Sequence, residues 1–336
     1  MRAIVQQGYG TEGVYHLQQV DTPTPAEDEV MVRVHAASLH PDIWHVMTGL
    51  PYALRLMGSG LRRPKPQIPG TDMAGVVEAV GARVTTFQPG DAVFGETLTH
   101  HQWTNGGTFA ELVSVKADQL ALKPAGITFE AAATIPTAGI IALHSLHIAG
   151  GVQAGQEVLI NGAAGGVGAL ALQIAKARGA KVTAVDHTAK LDLLWTLGAD
   201  QVLDYTRSDF TRGEARYDLI LDIPGNHPFS ACRRALKPHG TYLLIGHGGF
   251  DPVRKRLLGP IPHALGLTLL GWFVPQLPKP DFSMPDRRVL IQELARLLAD
   301  RKLTPVPHRT FPLEQVSEAM HCLRSGEAVG RILLTP

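Results

Sequence analysis

Residues 158–205, VLINGAAGGVGALALQIAKARGAKVTAVDHTAKLDLLWTLGADQVLDY, constrain the fold more tightly than any other part of the chain. The apolar run Val158-Leu159-Ile160 enters a seven-residue stretch, 162–168, with four glycines and two alanines. A helical pattern follows, with Val167, Leu170, Ala171, Ile174 and Ala175 on one face. A strand that turns tightly into a helix leaves unpaired N–H groups at the helix start. Small residues there let an anionic pyrophosphate approach them. Ala163-x-Gly165-x-x-Gly168 is a dinucleotide fingerprint with Ala in the first glycine's place, so Ala163, Gly165, Gly166, Val167 and Gly168 are candidate cofactor contacts.

Asp186 ends the next apolar strand, twenty-one positions after Gly165. Its carboxylate would accept hydrogen bonds from ribose hydroxyls and repel a 2′-phosphate, which favours NAD over NADP. Lys190 and Arg207 are near enough in sequence to bring positive charge, and His187 and Thr188 have groups that bind phosphate. The two basic side chains equally suit a solvated face, and NADP stays open.

Around this motif the chain has two textures. Residues 1–123 form short alternating segments such as EVMVRVHAAS and FAELVSV, separated by Pro and Gly turns, which predicts a β-rich, barrel-like unit. From 124 to 272 strands and helices alternate: strands at 158–160, 181–185, near 202, 219–221 and 242–245, with helices at 166–178, 188–197 and 227–236. Repeated βα units predict a Rossmann-type, doubly wound parallel sheet, so the fold class is α/β. Residues 273–336 add a helix striped by Leu290, Leu294, Leu297 and Leu298, with a capping signal at 283–286. A second helix at 313–323 and a final strand GRILLTP follow.

The 336 residues carry a formal net charge of +1, which gives no general attraction to nucleic acid or to an anionic membrane. Cys232 and Cys322 form no close-spaced metal or redox pattern, which suits a reducing compartment. The first twenty residues lack the blocks of a signal peptide, and no apolar run reaches transmembrane length. A cytoplasmic location is the expectation.

The order of parts resembles the medium-chain dehydrogenase/reductase superfamily across nearly the whole length. GAAGGVG, IPGTDMAGVVEAVG, QPGDAVFG, IPTAGIIAL, LGADQVLDY and the closing GRILL are similar to segments of its zinc-free quinone oxidoreductase branch. The resemblance implies a GroES-like front unit completed by the C-terminal segment, NAD(P)H held between the units, and a homodimer. LTLLGWFV, 267–274, would be the pairing strand at the sheet edge. It also implies that Thr137 lies near the nicotinamide, that Gly246 and His247 follow the strand beyond which that ring lies, that Tyr205 is among the cofactor positions, and that Asp72 is an acidic residue near the site.

The superfamily's zinc enzymes bind catalytic metal through Cys, His and Cys, where this chain has His40, Thr71 and Thr134. One such ligand does not make a zinc site. Residues 94–107 lack the cysteines of a structural zinc lobe, and His100-His101 reads as surface. No metal site is expected.

Without a Lewis acid, hydride transfer from a reduced nicotinamide to a quinone or an α,β-unsaturated carbonyl is less demanding than alcohol oxidation, because conjugation spreads the developing charge. The expected partner is therefore a small apolar carbonyl or quinone. The proton that completes the reduction has three candidate donors, His40, His45 and Tyr52, in SLHPDIWHVMTGLPY. The family pattern often has Asn at the place of His40. Two alternatives remain: a zinc-free alcohol dehydrogenase or carbonyl reductase, and a non-catalytic nicotinamide-binding sensor or structural protein.

Overall fold

The computed structural model describes residues 1–10, 13–98, 106–214, 216–246, 257–280 and 286–336. The chain opens with β1 (Arg2–Gln6), β2 (Tyr15–Gln19), β3 (Glu29–Ser38) and a short helix α1 (Ile43–Thr48). β4 (Asp72–Val80), β5 (Ala92–Glu96), β6 (Leu112–Lys116) and β7 (Leu120–Leu122) follow, then α2 (Phe129–Ala133) and α3 (Pro136–Ile148). The alternating part comprises β8 (Glu157–Asn161), α4 (Gly166–Ala177), β9 (Lys181–Asp186), α5 (Leu191–Thr196), β10 (Gln201–Asp204), β11 (Tyr217–Asp222), α6 (Phe229–Arg234) and β12 (Leu236–Leu244). The chain closes with α7 (Ile261–Leu270), α8 (Arg287–Ala299), β13 (Pro307–Pro312), α9 (Val316–Ser325) and β14 (Arg331–Thr335).

β8 to β12 form a parallel sheet in the order β10-β9-β8-β11-β12. Helices cover both faces, which explains why β8 reads as a continuous apolar run. Val158 and Ile160 point into the core shared with α3, α4 and α8, while Leu159 joins Val185, Ile220 and Tyr242 on the opposite face. The expected α/β architecture is observed.

β1 and β2 pair with each other, while the other front strands build a mainly antiparallel sheet around β3, whose first half pairs with β6 and whose last residues pair with β14. β13 runs parallel to β14 at the edge. The end of the chain thus joins the sheet begun near its start, while Ile291, Leu294 and Leu298 of α8 pack in the core beneath the parallel sheet. Asp286 caps α8 by accepting from the Val289 N–H at 3.2 Å.

One expected strand is a helix. LTLLGWFV falls on the last turns of α7 and the turn after it, with Pro260 and Pro262 at the helix start. A mostly apolar run of eight residues does not distinguish strand from helix, and prolines fit the first helical turn, where their missing N–H costs nothing. The position beside β12 is filled by backbone instead, the Tyr242 N–H donating to the Gln276 carbonyl at 2.7 Å.

α3 and α8 meet where Gly139 faces Leu294, a Cβ on Gly139 falling 2.7 Å from the leucine methyls. Leu294 is fully buried. Leu294→Ala is expected to destabilise the protein by about 2–5 kcal/mol, the range for deleting a buried leucine side chain, read as a lower denaturant midpoint.

Candidate cofactor and active site

The glycine turn lies at the carboxyl edge of the parallel sheet, between the end of β8 and α4. The Gly162 and Ala163 N–H groups bond the Val185 carbonyl at 3.0 and 3.1 Å, and the Ala164 N–H bonds the Asp186 carboxylate at 2.8 Å. Gly165 caps α4 without a side-chain bond, and the first bond inside the helix runs from the Ala169 N–H to the Gly165 carbonyl. Helix geometry leaves the Gly166, Val167 and Gly168 N–H groups without an intrahelical partner at the positive end of the dipole. Close packing fixes the glycines. A Cβ on Gly168 would lie 2.2 Å from the Gly162 oxygen, and one on Gly166 would lie 2.4 Å from Arg331 Nε.

Arg331, at the start of β14, is a functional candidate that the motif reading passed over. Its side chain is 3% exposed, Nη1 donates to the Leu39 carbonyl at 3.0 Å, and Nη2 stands 3.9 Å from Asp72 Oδ2. Nε and Nη2 are buried with no hydrogen-bond partner. A guanidinium with two idle donors, packed on the positive start of a helix, is a place that an anion satisfies. The residues present therefore fit the bridging phosphates of a dinucleotide. The available signal was an arginine heading the apolar strand of GRILL.

His40, just past β3, is buried; its Nδ1 accepts from the Asp42 N–H at 3.2 Å, the arrangement that leaves the ring proton on Nε2, and lies 3.5 Å from the Asp42 carboxylate. That Nε2 is buried without a partner. Burial, and then the charges of Arg331 and His45, hold its pKa well below the ordinary histidine range. His40 is accordingly a neutral imidazole with one unused N–H, not a cationic acid. His45 is lowered by burial too, partly offset by the Leu50 carbonyl that meets its Nδ1. Tyr52 stands at the surface, its ring 4.7 Å from the Arg55 guanidinium carbon.

Thr137, on the first turn of α3, is buried between two carboxyls. Its hydroxyl reaches Asp72 Oδ1 and, at 2.7 Å, Glu96 Oε2, while Arg287 holds the other oxygen of Glu96. The structure thus gathers the glycine turn, Arg331, Asp72 and Thr137 into a contiguous set, with His40 beside Arg331. Glu96 and Arg287 join it without any sequence motif. Their signal would have been charges at inward positions of a strand and a helix.

The far side of the turn is acidic. Asp186 ends β9 with Oδ2 on the Ala164 N–H and Oδ1 on the His187 N–H, both at 2.8 Å. Lys190 Nζ donates to the Gly326 and Ala328 carbonyls at 2.8 and 2.9 Å. Arg207 faces Asp204 at 3.5 Å. His187 and Tyr205 form an exposed edge-on ring pair, 5.8 Å between centroids. Gly246 follows β12 beside Ile223, where a Cβ would meet the Ile223 oxygen at 2.7 Å. His247 and His100-His101 lie outside the described residues. Among the described residues no group of three His, Cys, Asp or Glu side chains is gathered as metal ligands, and no helix is long and apolar enough to cross a membrane.

The GroES-like domain family of alcohol dehydrogenases matches residues 26–125, and the zinc-binding dehydrogenase family matches residues 197–334. The chain is 31% identical to 2-methylene-furan-3-one reductase of Solanum lycopersicum, over 100% of this chain and 79% of that one. It is also 31% identical to the chloroplastic NADPH-dependent alkenal/one oxidoreductase of Arabidopsis thaliana, over 100% of this chain and 80% of the relative. The chain belongs to the medium-chain dehydrogenase/reductase superfamily. Within it, the chain is quinone oxidoreductase-like, and it is an oxidoreductase of the NAD(P)H-dependent kind. The quinone oxidoreductase from Coxiella burnetii superposes with a TM-score of 0.82 at 26% identity, covering 100% of this chain and 99% of that one.

The buried state of His40 has a pH consequence. Its folded pKa is depressed, so below the unfolded value of about 6.5 the unfolded chain binds the proton that the folded one refuses. Stability contributed by neutral His40 is present above that pH and falls as the pH drops. His40→Asn is expected to flatten the acid side of the melting-temperature profile below about pH 6.5. An unchanged slope in the variant would place the acid sensitivity elsewhere.

Proposed function

We propose that this oxidoreductase reduces quinones and α,β-unsaturated carbonyls with NADH, where the glycine turn meets the front sheet. The observation that carries the reading is the pairing of two unsatisfied buried donors: the Arg331 guanidinium beside the turn, and the neutral His40 N–H next to it. The first suits an anionic cofactor bridge, the second a substrate oxygen.

A bound reduced nicotinamide supplies the hydride. The chain's own part is binding, orientation and charge. The Gly166, Val167 and Gly168 N–H groups and Arg331 hold the phosphates, and Asp186 accepts from the adenosine ribose. His40 Nε2 donates to the carbonyl oxygen as negative charge grows there, a buried dipole fixed in place. A neutral imidazole gives up its remaining proton with difficulty, so His40 stabilises the developing enolate and the closing proton comes from solvent. We read the reaction as zinc-independent because His40, Thr71 and Thr134 offer a single strong ligand where three are needed.

The preference for NADH rests on charge around the adenosine. Asp186 is placed to repel a 2′-phosphate, Lys190 is committed to two carbonyls, and Arg207 faces Asp204. Loss of reduced-nicotinamide absorbance with quinones and enones, in the presence of a chelator, is the deciding assay. The expected result is turnover with an NADH kcat/KM at least about tenfold above that for NADPH, equivalent to ~1.4 kcal/mol. Asp186→Ser should narrow that ratio. Silence with every conjugated acceptor would defeat the reading.

We also read the chain as a homodimer. Leu265, Leu269, Leu270, Trp272 and Phe273 of α7 and its following turn stand 45–84% exposed, a patch that a second copy would cover. Sedimentation is expected to give a dimer, and Trp272→Glu with Phe273→Glu a monomer. A wild-type monomer at moderate concentration would remove the dimer.

A further inference from the structure

Asp72, Glu96 and Thr137 come from β4, β5 and the start of α3, and all three are at most 1% exposed. The Thr137 hydroxyl lies within hydrogen-bond distance of both carboxyls, and the Thr137 N–H reaches Asp72 Oδ1 at 3.3 Å. A hydroxyl has one proton to donate. Its second carboxyl contact is a hydrogen bond only when that carboxyl carries a proton and donates to Oγ1. With both ionised, two negative charges would confront one oxygen at a buried site.

The surrounding groups are charged on two sides. Glu96 faces Arg287 of α8, and Asp72 faces Arg331 of β14 at 3.9 Å, with the Ser38 and Thr71 hydroxyls at 3.3 and 3.5 Å. His40 and Asp42 of the front segment act on Arg331, and His45 acts on His40. Burial raises both carboxyls, Glu96 up to about 7, and the nearby charge of Asp72 adds to the rise of Glu96.

We propose that Asp72 and Glu96 hold one proton between them through the Thr137 hydroxyl, and that this proton sets how much of the Arg331 charge remains for an anion at the glycine turn. While the proton is held, a single negative charge is shared against two guanidiniums. Arg331 then keeps Nε and Nη2 free. When the proton leaves, the full charge of Asp72 competes for Arg331. An anion at the turn has the reverse effect, drawing Arg331 away from Asp72 so that the pair holds its proton more firmly. Cofactor affinity and proton affinity are therefore coupled, and the coupling is reciprocal. This second half rests on the cofactor reading above, while the shared proton does not. Asp72 and Glu96 are positioning residues, acting through Thr137 and Arg331.

Infrared spectroscopy of the whole protein tests the shared proton without any ligand. A carboxylic-acid C=O band is expected near neutral pH, lost on alkaline titration, absent from Asp72→Asn and Glu96→Gln, and retained in Thr137→Ser. A neutral-pH spectrum in which neither substitution removes such a band would overturn the shared proton. NADH titrations of the wild type, read by fluorescence, test the coupling. The Kd is expected to rise with pH by up to about tenfold per unit, the limit for one linked proton, and calorimetry in two buffers should show proton uptake on binding. An infrared band with a pH-independent Kd would overturn the coupling alone. Absence of NADH binding at every pH would overturn the cofactor reading and the coupling with it, leaving the infrared result to decide the proton.

Discussion

The Arg331 guanidinium is buried where the last strand of the chain crosses the start of α4, and it meets the front sheet and the glycine turn at once. It bonds the Leu39 carbonyl at the end of β3, faces Asp72 on β4, and lies so close to Gly166 that no side chain fits there. Burying a charge with two unused donors is costly unless something answers them. Asp72 answers part of the charge, and in the proposed function an anion at the open N–H groups of α4 answers the rest. The position of His40, one residue past Leu39, follows from the same anchor.

That anchor holds because both sheets are tied to one core. Ala36, Ala74, Phe94 and Ala121 of the front sheet share a cluster with α3, α4, α8 and the underside of the parallel sheet. Close packing at the crossing points, Gly139 against Leu294 and Gly168 against the Gly162 carbonyl, leaves little slack between the elements that carry the site. The two sheets are thus positioned by contacts that are mostly apolar, and the polar groups between them are positioned as a consequence. Such a frame suits hydride transfer, in which the protein's share is mainly orientation.

The elements with strong periodicity were legible beforehand. The turn at 162–168, the strands β8, β9 and β11, the helix α4 and the closing strand stand where their patterns put them, because each is fixed by local geometry and a repeating apolar face. LTLLGWFV failed because a mostly apolar run of eight residues satisfies either period, and the prolines before it belong equally to a turn or a first helical turn. A sequence shows that His40 is present and not how deeply it is buried, so the lowering of its pKa is visible only in the structure.

The sequence by itself determined the α/β architecture, the glycine turn and the acidic residue that ends the next strand, since these depend on spacings of a few residues along one strand-turn-helix unit. Only the tertiary structure decided which charges act together. Arg331, Asp72, Glu96, Thr137 and Arg287 come from five separate segments, and no local pattern records that β14 returns to β3 or that α8 reaches Glu96. Electrostatic interaction depends on distance and burial in space, and both are set when the two sheets close on their shared core.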